Sequence, residues 1–500
     1  MKRSLILLAT LATLLSSCKD KFLELTDPTR VPTGSLFTSG ANVTAAVNAT
    51  YGALLPIYNN SYYVFGELAS DNAYEITAAN QHSLFSTFSV DPSNPQLQFM
   101  WTDSYRCISR ANTVLAKAGA VSMDNALKEQ YLAEMKFVRA LNYFNLVRIW
   151  GAIPLITTDL GENYQASYEF GRTPAPQVYA QIITDLQEAE RVLPATYSAA
   201  DQGRATSLAA KALLGKVYLT QNQFTLAADK LSELIPGTPK AGTLANTSGL
   251  ITTDYGDVFS TGNETNKEII FSARFLSGGL GLGSRFAGNF LPFYSGTEIV
   301  RVGLTGGIAE RQDLFNAYTS TDRRKPVASV YYTRNGQADY YTRKFIINGP
   351  PFATNDGDND WIVLRYADVL LMYAEALNEQ GDTPGALQFT NQVRTRAGLT
   401  LLTGLSQADC RLAIENERRL EFSFEGQRWF DLTRTNRLVS VMNAFYTRYA
   451  ATPSTVAAPN SGLLVNTGGT PVQVQPYQLL FPLPISEIQY NPKLTQNPGY

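Results

Sequence analysis

The sequence predicts a mostly α-helical protein with two unlike halves: tetratricopeptide-like helix pairs that form a superhelix, and a loop-rich irregular half with few short strands. Three observations support this class. Apolar residues recur every three or four positions in long segments, small residues recur at a spacing of twelve, and residues 277–310 hold nine glycines in 34 positions. With 500 residues, 44% hydrophobic and 17% charged, the chain has enough apolar side chains to bury a sizeable core.

Four segments show the apolar spacing of helices. The first is predicted to end at residues 150–151, the second spans residues 177–193, and the third begins near Thr206. The fourth ends at Gly381, with Asp360 as its predicted N-cap. The apolar positions are Leu132, Met135, Val138, Leu141, Phe144 and Val147 in the first segment, and Tyr366, Val369, Leu370, Tyr373, Ala374 and Leu377 in the fourth.

Small residues at a fixed spacing indicate closely crossing helix pairs. Gly215 precedes Ala227 by twelve positions, and Ala374 precedes Ala386 by the same twelve. Paired helices of the tetratricopeptide kind need small side chains where they cross. Ala140 marks a further unit of the same kind.

The composition changes between the helical segments. The Gly281-x-Gly283 pair suggests a dinucleotide-binding turn, but Phe286 stands where the third glycine is needed and no helical pattern follows. Residues 277–310 are therefore predicted to be a long ordered loop region, a place where binding sites are common. Residues 451–478, rich in Pro, Thr, Ser and Gly, are predicted to be a second surface insertion.

The alternating acidic run Asp356, Asp358 and Asp360 resembles the start of a calcium loop. An EF-hand requires glycine at its sixth position and a carboxylate at its twelfth, where this chain has Trp361 and Ala367. The run is therefore predicted to be a solvated turn leading into a helix cap, without a bound metal. No cofactor is expected anywhere in the chain.

The densest charge pattern lies at Glu415–Asp431. Glu415 with Arg419, and Arg418 with Glu421, have the spacing of ion pairs along one helix. A catalytic carboxylate pair is the alternative, but neighbouring arginines hold acids ionised and unsuited to general-acid catalysis. We predict a partly buried ion-pair network that locks two helices together.

The composition also excludes several classes of site. The single histidine, His82, rules out multi-histidine zinc sites. A net charge of −2 gives no general electrostatic basis for binding nucleic acid. Beyond the leader, Cys107 and Cys410 either pair or remain buried thiols, and the sequence does not decide between the two.

The first residues have the pattern of a targeting signal. Lys2 and Arg3 are followed by an apolar segment at residues 5–15, which is too short to span a bilayer. Leu-Ser-Ser then precedes Cys18, the arrangement of a bacterial lipoprotein box. Residues 1–17 are therefore predicted to be removed, and Cys18 to carry the acyl chains that anchor the protein.

Five blocks in order resemble the RagB/SusD family, and they span nearly the whole mature chain. The blocks are Phe137–Leu155, Leu364–Glu379, Asn391–Leu399, Glu417–Asp431, and Leu480–Glu487 together with Gln496–Tyr500. The resemblance implies a lipid-anchored outer-membrane protein that faces the medium, binds oligosaccharides, and covers a TonB-dependent transporter barrel of the SusC type as its lid. It also implies an N-terminal region at 18–250 and a C-terminal region with loop-rich insertions at 251–500.

Two alternative functions remain open at the level of sequence. The first is the same architecture importing peptides or another polymer, which shares every block. The second is a surface glycoside hydrolase, which requires two carboxylates at a set separation in a cleft. No such pair stands out in the sequence, so we expect a binding protein without enzymatic activity.

The ligand site is predicted from residue types, because none of the shared blocks specifies ligand contacts. Glycan sites combine aromatic platforms with a few amide or carboxylate groups. The segment after residue 67 mixes these types, and the glycine-rich region adds two adjacent aromatics. The predicted ligand-binding residues are Asp71, Asn72, Tyr74, His82, Phe293 and Tyr294.

Overall fold

The computed structural model describes most of the chain and confirms the mostly α class, with 55% helix and 7% strand. Cys18 and the predicted leader lie outside the described residues, as does most of the predicted insertion at 451–478. No helix in the described ranges has the length and apolar character needed to cross a membrane. Those ranges are 37–76, 81–161, 164–242, 248–295, 298–299, 306–334, 336–347, 349, 355–451 and 471–500.

The N-terminal half is built from helices whose ends are fixed by local hydrogen bonds. Ser39, Asn94, Asp124 and Thr206 each cap a helix by accepting a backbone N–H with their side chain. The helix predicted to end at residues 150–151 does so, at Gly151 with a φ of 71°. The helices are α1 (Gly40–Gly52), α2 (Pro95–Lys117), α3 (Asn125–Trp150), α4 (Ala175–Val192), α5 (Ser207–Thr220) and α6 (Phe224–Ser232); π-helical turns occupy Ile57–Ser61 and Val64–Leu68.

The remaining elements are short strands and further helices, most of them in the second half. The strands are β1 (Ala73–Glu75), β2 (Ile269–Ala273), β3 (Ile308–Glu310), β4 (Val330–Arg334), β5 (Gln337–Tyr341) and β6 (Trp361–Arg365). The helices are α7 (Gln312–Ala317), α8 (Tyr366–Glu379), α9 (Thr383–Arg396), α10 (Gln407–Glu421), α11 (Arg428–Arg434), α12 (Leu438–Ala451) and α13 (Ile485–Tyr490). Single helical turns lie at Ser83–Ser86, Phe286–Asn289 and Lys325–Ala328.

The helix pairs stack in a continuous row, as the repeat spacing predicts. Helix α3 packs on α4, α4 on α5, α5 on α6, α6 on α8, and α8 on α9. The crossing of α5 and α6 depends on Gly215, because a Cβ atom there would lie 2.5 Å from Leu231 Cδ2. Ala140, Ala227, Ala374 and Ala386 are all fully buried. The tetratricopeptide-like half is confirmed.

The prediction that Asp360 caps the fourth helix is wrong. Strand β6 lies between this aspartate and α8, so the helix begins six residues later at Tyr366. The Asp360 carboxylate instead accepts the Phe275 N–H at 2.8 Å and the Ser272 hydroxyl at 3.1 Å. A carboxylate near the start of a helical pattern suggested a cap, but the sequence did not reveal the intervening strand.

The acidic run holds the glycine-rich loop in place. Asp356 Oδ2 accepts the N–H groups of Gly278 and Gly279 at 3.0 and 2.9 Å, and Asp358 Oδ1 accepts the Ser277 N–H at 2.7 Å. Gly278, at a φ of 108°, adopts a conformation that side chains disfavour. These acids thus serve as hydrogen-bond acceptors for loop backbone.

The described strands form two-stranded antiparallel sheets, which connect distant parts of the loop-rich half. Strand β1 pairs with β3, which sets Tyr74 opposite Ala309. Strand β2 pairs with β6, and β4 pairs with β5 as a hairpin. Both members of the first pair are short, so its stability depends on what packs around it.

A buried ion-pair network joins separate segments of the second half, with Glu421 at its centre. Its carboxylate accepts Arg324 at 2.9 Å, Arg365 at 2.6 Å and a further bond from Arg396. Burial raises the pKa of Glu421, but the guanidinium groups of Arg396, Arg365 and Arg324 outweigh it and hold that pKa well below its usual range. Five cations face five carboxylates in this network: Arg324, Lys344, Arg365, Arg394 and Arg396 with Glu268, Asp322, Glu417, Glu421 and Glu425.

The predicted network is therefore real, but the two predicted pairs within it are wrong. Arg418 pairs with Asp368 at 2.8 Å and with Asp431 at 2.9 Å, rather than with Glu421. Arg419 pairs with Asp71 at 3.2 Å. Glu415, the predicted partner of Arg419, accepts Arg428 and Arg437 instead. Helix α10 turns these side chains toward neighbouring elements, so partners distant in sequence replace those four residues away.

Cys107 and Cys410 are both buried free thiols, which resolves the alternative that the sequence left open. Cys107 lies in α2 and Cys410 in α10. Burial raises the pKa of Cys107 to about 12, so its thiol stays protonated and unreactive at neutral pH.

Replacing the central carboxylate should destabilise the fold strongly. We expect Glu421→Gln to lower the free energy of unfolding by about 3–5 kcal/mol at pH 7, because three buried guanidinium groups lose their shared anion. Urea denaturation followed by circular dichroism measures this loss. The matched control is Glu379→Gln, whose partner Arg411 is partly exposed, and its cost should stay below about 1 kcal/mol.

The pH dependence of this difference provides a second check. Because the folded pKa of Glu421 is depressed, its contribution is fully present above the unfolded pKa of about 4.3 and declines as pH falls below that value. The gap between wild type and Glu421→Gln should therefore be constant from pH 7 to 5 and narrow below pH 4.3. If Glu421→Gln and Glu379→Gln lost equal free energy of unfolding at pH 7, the network would contribute no more than an exposed ion pair.

Candidate ligand-binding site

Asp71 lies at the start of the predicted ligand segment and is 4% exposed. Its carboxylate accepts Arg428 Nε at 2.8 Å and Arg428 Nη2 at 3.1 Å, and Arg419 lies 3.2 Å away. Burial raises its pKa, but Arg419 and Arg428 outweigh that effect and hold the pKa well below its usual range. A ligand that used this carboxylate would have to displace an arginine.

Asn72 is fully buried beside it. Its amide donates to Glu67 Oε1 at 2.9 Å and accepts from Arg419 Nε at 2.9 Å. Glu67 in turn accepts the backbone N–H groups of Phe424 and Gly426. Asp71 and Asn72 therefore attach the start of β1 to α10 and the turn that follows it.

His82 is also buried, with its Nδ1 3.5 Å from Glu75 Oε1. Burial lowers the pKa of His82 to about 4, so the imidazole is neutral at pH 7. Phe293 is half-buried in a 3₁₀ turn, and the side chain of Tyr294 lies outside the described residues. A ligand-binding role for these residues stays a prediction.

Tyr74 is half-buried and lies over the guanidinium of Arg311, which distinguishes it from the buried Asp71, Asn72 and His82. Pairing of β1 with β3 brings it beside Arg311, whose guanidinium carbon lies 4.7 Å from the centre of the Tyr74 ring. The structure thus joins the first predicted segment to the end of the glycine-rich region.

A group of aromatic side chains lies one helical turn beyond Arg311, across α7 and the β4–β5 hairpin. Phe315 follows Arg311 by one helical turn, and its ring lies 4.6 Å from Tyr340 and 6.4 Å from Tyr331. Tyr331 and Tyr340 are 5.2 Å apart across the hairpin. We call this surface the aromatic strip, and its members are Tyr74, Phe315, Tyr331, Tyr340 and Tyr449.

The strip is exposed to solvent yet held in position. Tyr331 is 49% exposed, and the other four members are half-buried. Lys325 Nζ lies 4.0 Å from the centre of the Phe315 ring, a cation–π contact that fixes the ring plane. Tyr449 packs on Phe445 at 4.5 Å. The arrangement can offer flat apolar faces to a ligand without reorganising its side chains.

Comparison with known proteins identifies the family. A family model described as the SusD family matches residues 331–500, and a model described as "Starch-binding associating with outer membrane" matches residues 21–219. The chain belongs to the SusD/RagB family. The resemblance carried by the five sequence blocks is confirmed.

Relatives of this SusD-family protein match along its whole length. SusD-like protein P25 of Formosa agariphila is 29% identical, over 97% of this chain and 97% of its own. A solved structure described as a laminarin binding SusD-like protein is 27% identical, with a TM-score of 0.74 over 93% of this chain and 100% of that one. Surface glycan-binding protein A from Bacteroides fluxus has a TM-score of 0.76 at 23% identity, over 93% and 100%, and supports the fold.

Of the aromatic strip, only Tyr74 was predicted from the sequence. A usable signal was present in this SusD-family chain, because two Tyr-Tyr pairs, at 331–332 and 340–341, flank Asn335-Gly336. Asn-Gly between strand-forming residues predicts a hairpin. Alternation then places Tyr331 and Tyr340 on one face, directly opposite each other in the observed register. Phe315 and Tyr449 carry no comparable signal.

Cavities also lie elsewhere among the described residues of this SusD-family fold. One of about 370 Å³ is lined by Trp101, Tyr105 and Tyr168 near α2 and α13, but Trp101 is only 4% exposed and packs on Trp150 at 5.2 Å. Another of about 560 Å³ lies between the π-helical turns and the glycine-rich loop. The aromatic strip suits an extended ligand better, because its rings line an open surface.

Proposed function

We propose that this protein binds oligosaccharides at the surface of the outer membrane and passes them to a TonB-dependent transporter of the SusC type, which it covers as a lid. The observation that carries the proposal is the exposed aromatic strip on the loop-rich half of a SusD-family chain. Neighbours described as binding laminarin and surface glycans support the ligand class. The protein acts by binding, without catalysing a reaction.

The chemistry of the strip suits sugar rings. A pyranose presents a flat face of C–H groups, which packs on an aromatic ring, while its hydroxyls need hydrogen-bonding groups at the edge. The tyrosines of the strip supply both, because each carries a phenol at the end of its ring. The half-buried positions keep the rings rigid, which reduces the entropy cost of binding.

The membrane anchor in this proposal is the acylated Cys18. Its support is the lipoprotein box and the match to a family described as associating with the outer membrane. The stacked helices α5, α6, α8 and α9 are proposed to face the transporter, which leaves the aromatic strip directed toward the medium.

Removing a ring from the strip should weaken glycan binding without unfolding the protein. We expect Tyr331→Ala to cost about 1–3 kcal/mol of binding free energy, with little change in Tm because the ring is half exposed. Tyr74→Ala and Tyr294→Ala test the residues predicted from sequence in the same way. A glycan and peptide array on the acyl-free protein, followed by calorimetry on the best ligand, provides the measurement.

The matched control is Tyr490→Ala, an exposed tyrosine on α13, which should bind as the wild type does. Peptides binding in place of glycans would replace the proposed ligand class. Release of reducing ends from a bound glycan would identify an enzyme. Unchanged affinity in every strip variant would move the site elsewhere on the molecule.

The anchor has a direct test. Wild-type protein should incorporate a labelled fatty acid and fractionate with the outer membrane, whereas Cys18→Ala should do neither. Cys107→Ala is the control, since this buried thiol should not affect labelling. Label retained by Cys18→Ala, or absent from the wild type, would contradict the anchor.

The transporter partnership predicts a stable complex. Gentle solubilisation of membranes should yield this protein together with a barrel of transporter size, because a lid requires a large contact surface. Gel filtration and mass spectrometry identify the partner. A lone species of about the 54.9 kDa chain mass under several mild detergents would contradict the partnership.

A further inference from the structure

Arg311 is the one buried arginine in the described part of the chain that lacks a carboxylate partner. It is 6% exposed, forms no ion pair there, and its Nε has no hydrogen-bond acceptor among the same residues. Every other buried arginine in those ranges pairs with an acid: Arg139, Arg324, Arg365, Arg396, Arg418 and Arg428. A buried charge without a partner is costly, and proteins rarely retain one without a use.

The surroundings of Arg311 are aromatic on both sides. Its guanidinium lies 4.7 Å from the Tyr74 ring centre and 5.2 Å from that of Phe445. The Tyr446 hydroxyl, also nearby, is already donated to Ser86 O at 2.6 Å. Burial lowers the pKa of Arg311, but a guanidinium remains charged at any physiological pH. The rings stabilise the cation only in part, because they carry no net charge.

Two acids close to Arg311 in the fold or in the sequence are already held by other arginines, and Glu310, the preceding residue, accepts the Ser329 hydroxyl instead of Arg311. Asp71 is held by Arg428 and Arg419, and Asp313 pairs with Arg448 at 2.6 Å.

We propose that Arg311 binds an anionic group of the ligand, a carboxylate or a sulfate ester, and that the aromatic strip therefore prefers acidic oligosaccharides. The inference rests on the proposed function. The geometry is suitable, because Phe315 lies one helical turn beyond Arg311 and Tyr74 stacks directly on the guanidinium. A sugar ring on the strip would place a substituent within reach of the Arg311 guanidinium. The planar set of N–H donors on that group matches the geometry of carboxylate and sulfate oxygens.

A thermal unfolding titration tests the anion site itself. Wild type, Arg311→Met and Arg411→Met are unfolded in rising sodium sulfate, and in rising sodium glucuronate, with sodium chloride keeping ionic strength constant. Arg411 is the matched control, because it is an exposed arginine on α10 whose partner, Glu379, is not an acid placed beside Arg311. Sulfate stabilises proteins generally, and that part of the response is shared by all three. We expect a further saturable rise of about 1–2 °C in wild type and Arg411→Met that is lost in Arg311→Met.

The same experiment separates a binding role from a structural one. Without added anion, Arg311→Met should unfold at the wild-type temperature or above it, since an uncompensated buried charge has been removed. Identical anion responses in all three proteins would overturn the proposal. So would a fall of several degrees in Arg311→Met without added anion, because Arg311 would then be holding the fold together.

A glycan arm distinguishes this inference from the proposed function. Oligogalacturonate and its neutral methyl ester share one backbone, as do a sulfated galactan oligomer and its desulfated form. Wherever a pair binds, the charged member should bind about tenfold tighter to wild type, and Arg311→Met should remove that preference while retaining the neutral affinity. If the charged and neutral glycans of a pair bound with equal affinity, the preference for acidic ligands would be refuted, while the proposed glycan binding would stand. An anion response without glycan binding on an array would refute the proposed function and leave the anion site standing.

Discussion

Glu421 accepts guanidinium groups from three separate segments of the chain, and the arrangement of the loop-rich half depends on that convergence. Arg324 precedes the β4–β5 hairpin, Arg365 ends β6, and Arg396 ends α9. Lys344, just after the hairpin, joins the same network through Glu425. The hairpin that carries two of the five members of the aromatic strip is therefore fixed at both ends by buried charge. Its two strip tyrosines then need only each other and Phe315 to stay in position.

The buried arginines in the described part of this chain differ in whether they have an acidic partner. The paired ones hold the fold together, whereas the unpaired one, Arg311, is proposed to bind the ligand. The network around Glu421 balances five cations against five carboxylates, and Asp71 is likewise shared between Arg419 and Arg428. Together, the ion pairs around Glu421 and around Asp71 hold β1, α10 and the hairpin in fixed positions relative to one another. Arg311 has no carboxylate partner among the described residues, and it lies beside Tyr74, one of the rings proposed to bind sugars. Because the other buried arginines of the described chain are paired with acids, we infer that the Arg311 guanidinium binds an anion supplied by the ligand.

The sequence predicted features that depend on local pattern, and failed where distant segments meet. The helix end at Gly151 and the tight crossing at Gly215 follow from residue size and spacing, and both are found. The Asp360 cap and the Glu415–Arg419 pair failed because strand β6 and the partners of α10 come from elsewhere in the chain. Of the aromatic strip, Tyr74 was found by residue type, whereas Phe315 joins it only through tertiary packing.

Hydrogen exchange with mass spectrometry, on acyl-free protein with and without its best glycan ligand, tests the account most directly. Binding on the aromatic strip should slow exchange in peptides covering β1, α7, the β4–β5 hairpin and α12. Exchange around Glu421 and along the stacked helices should stay unchanged, because those parts are already rigid. Protection centred instead on α2 and α13, around the Trp101 cavity, would contradict the assignment of the site.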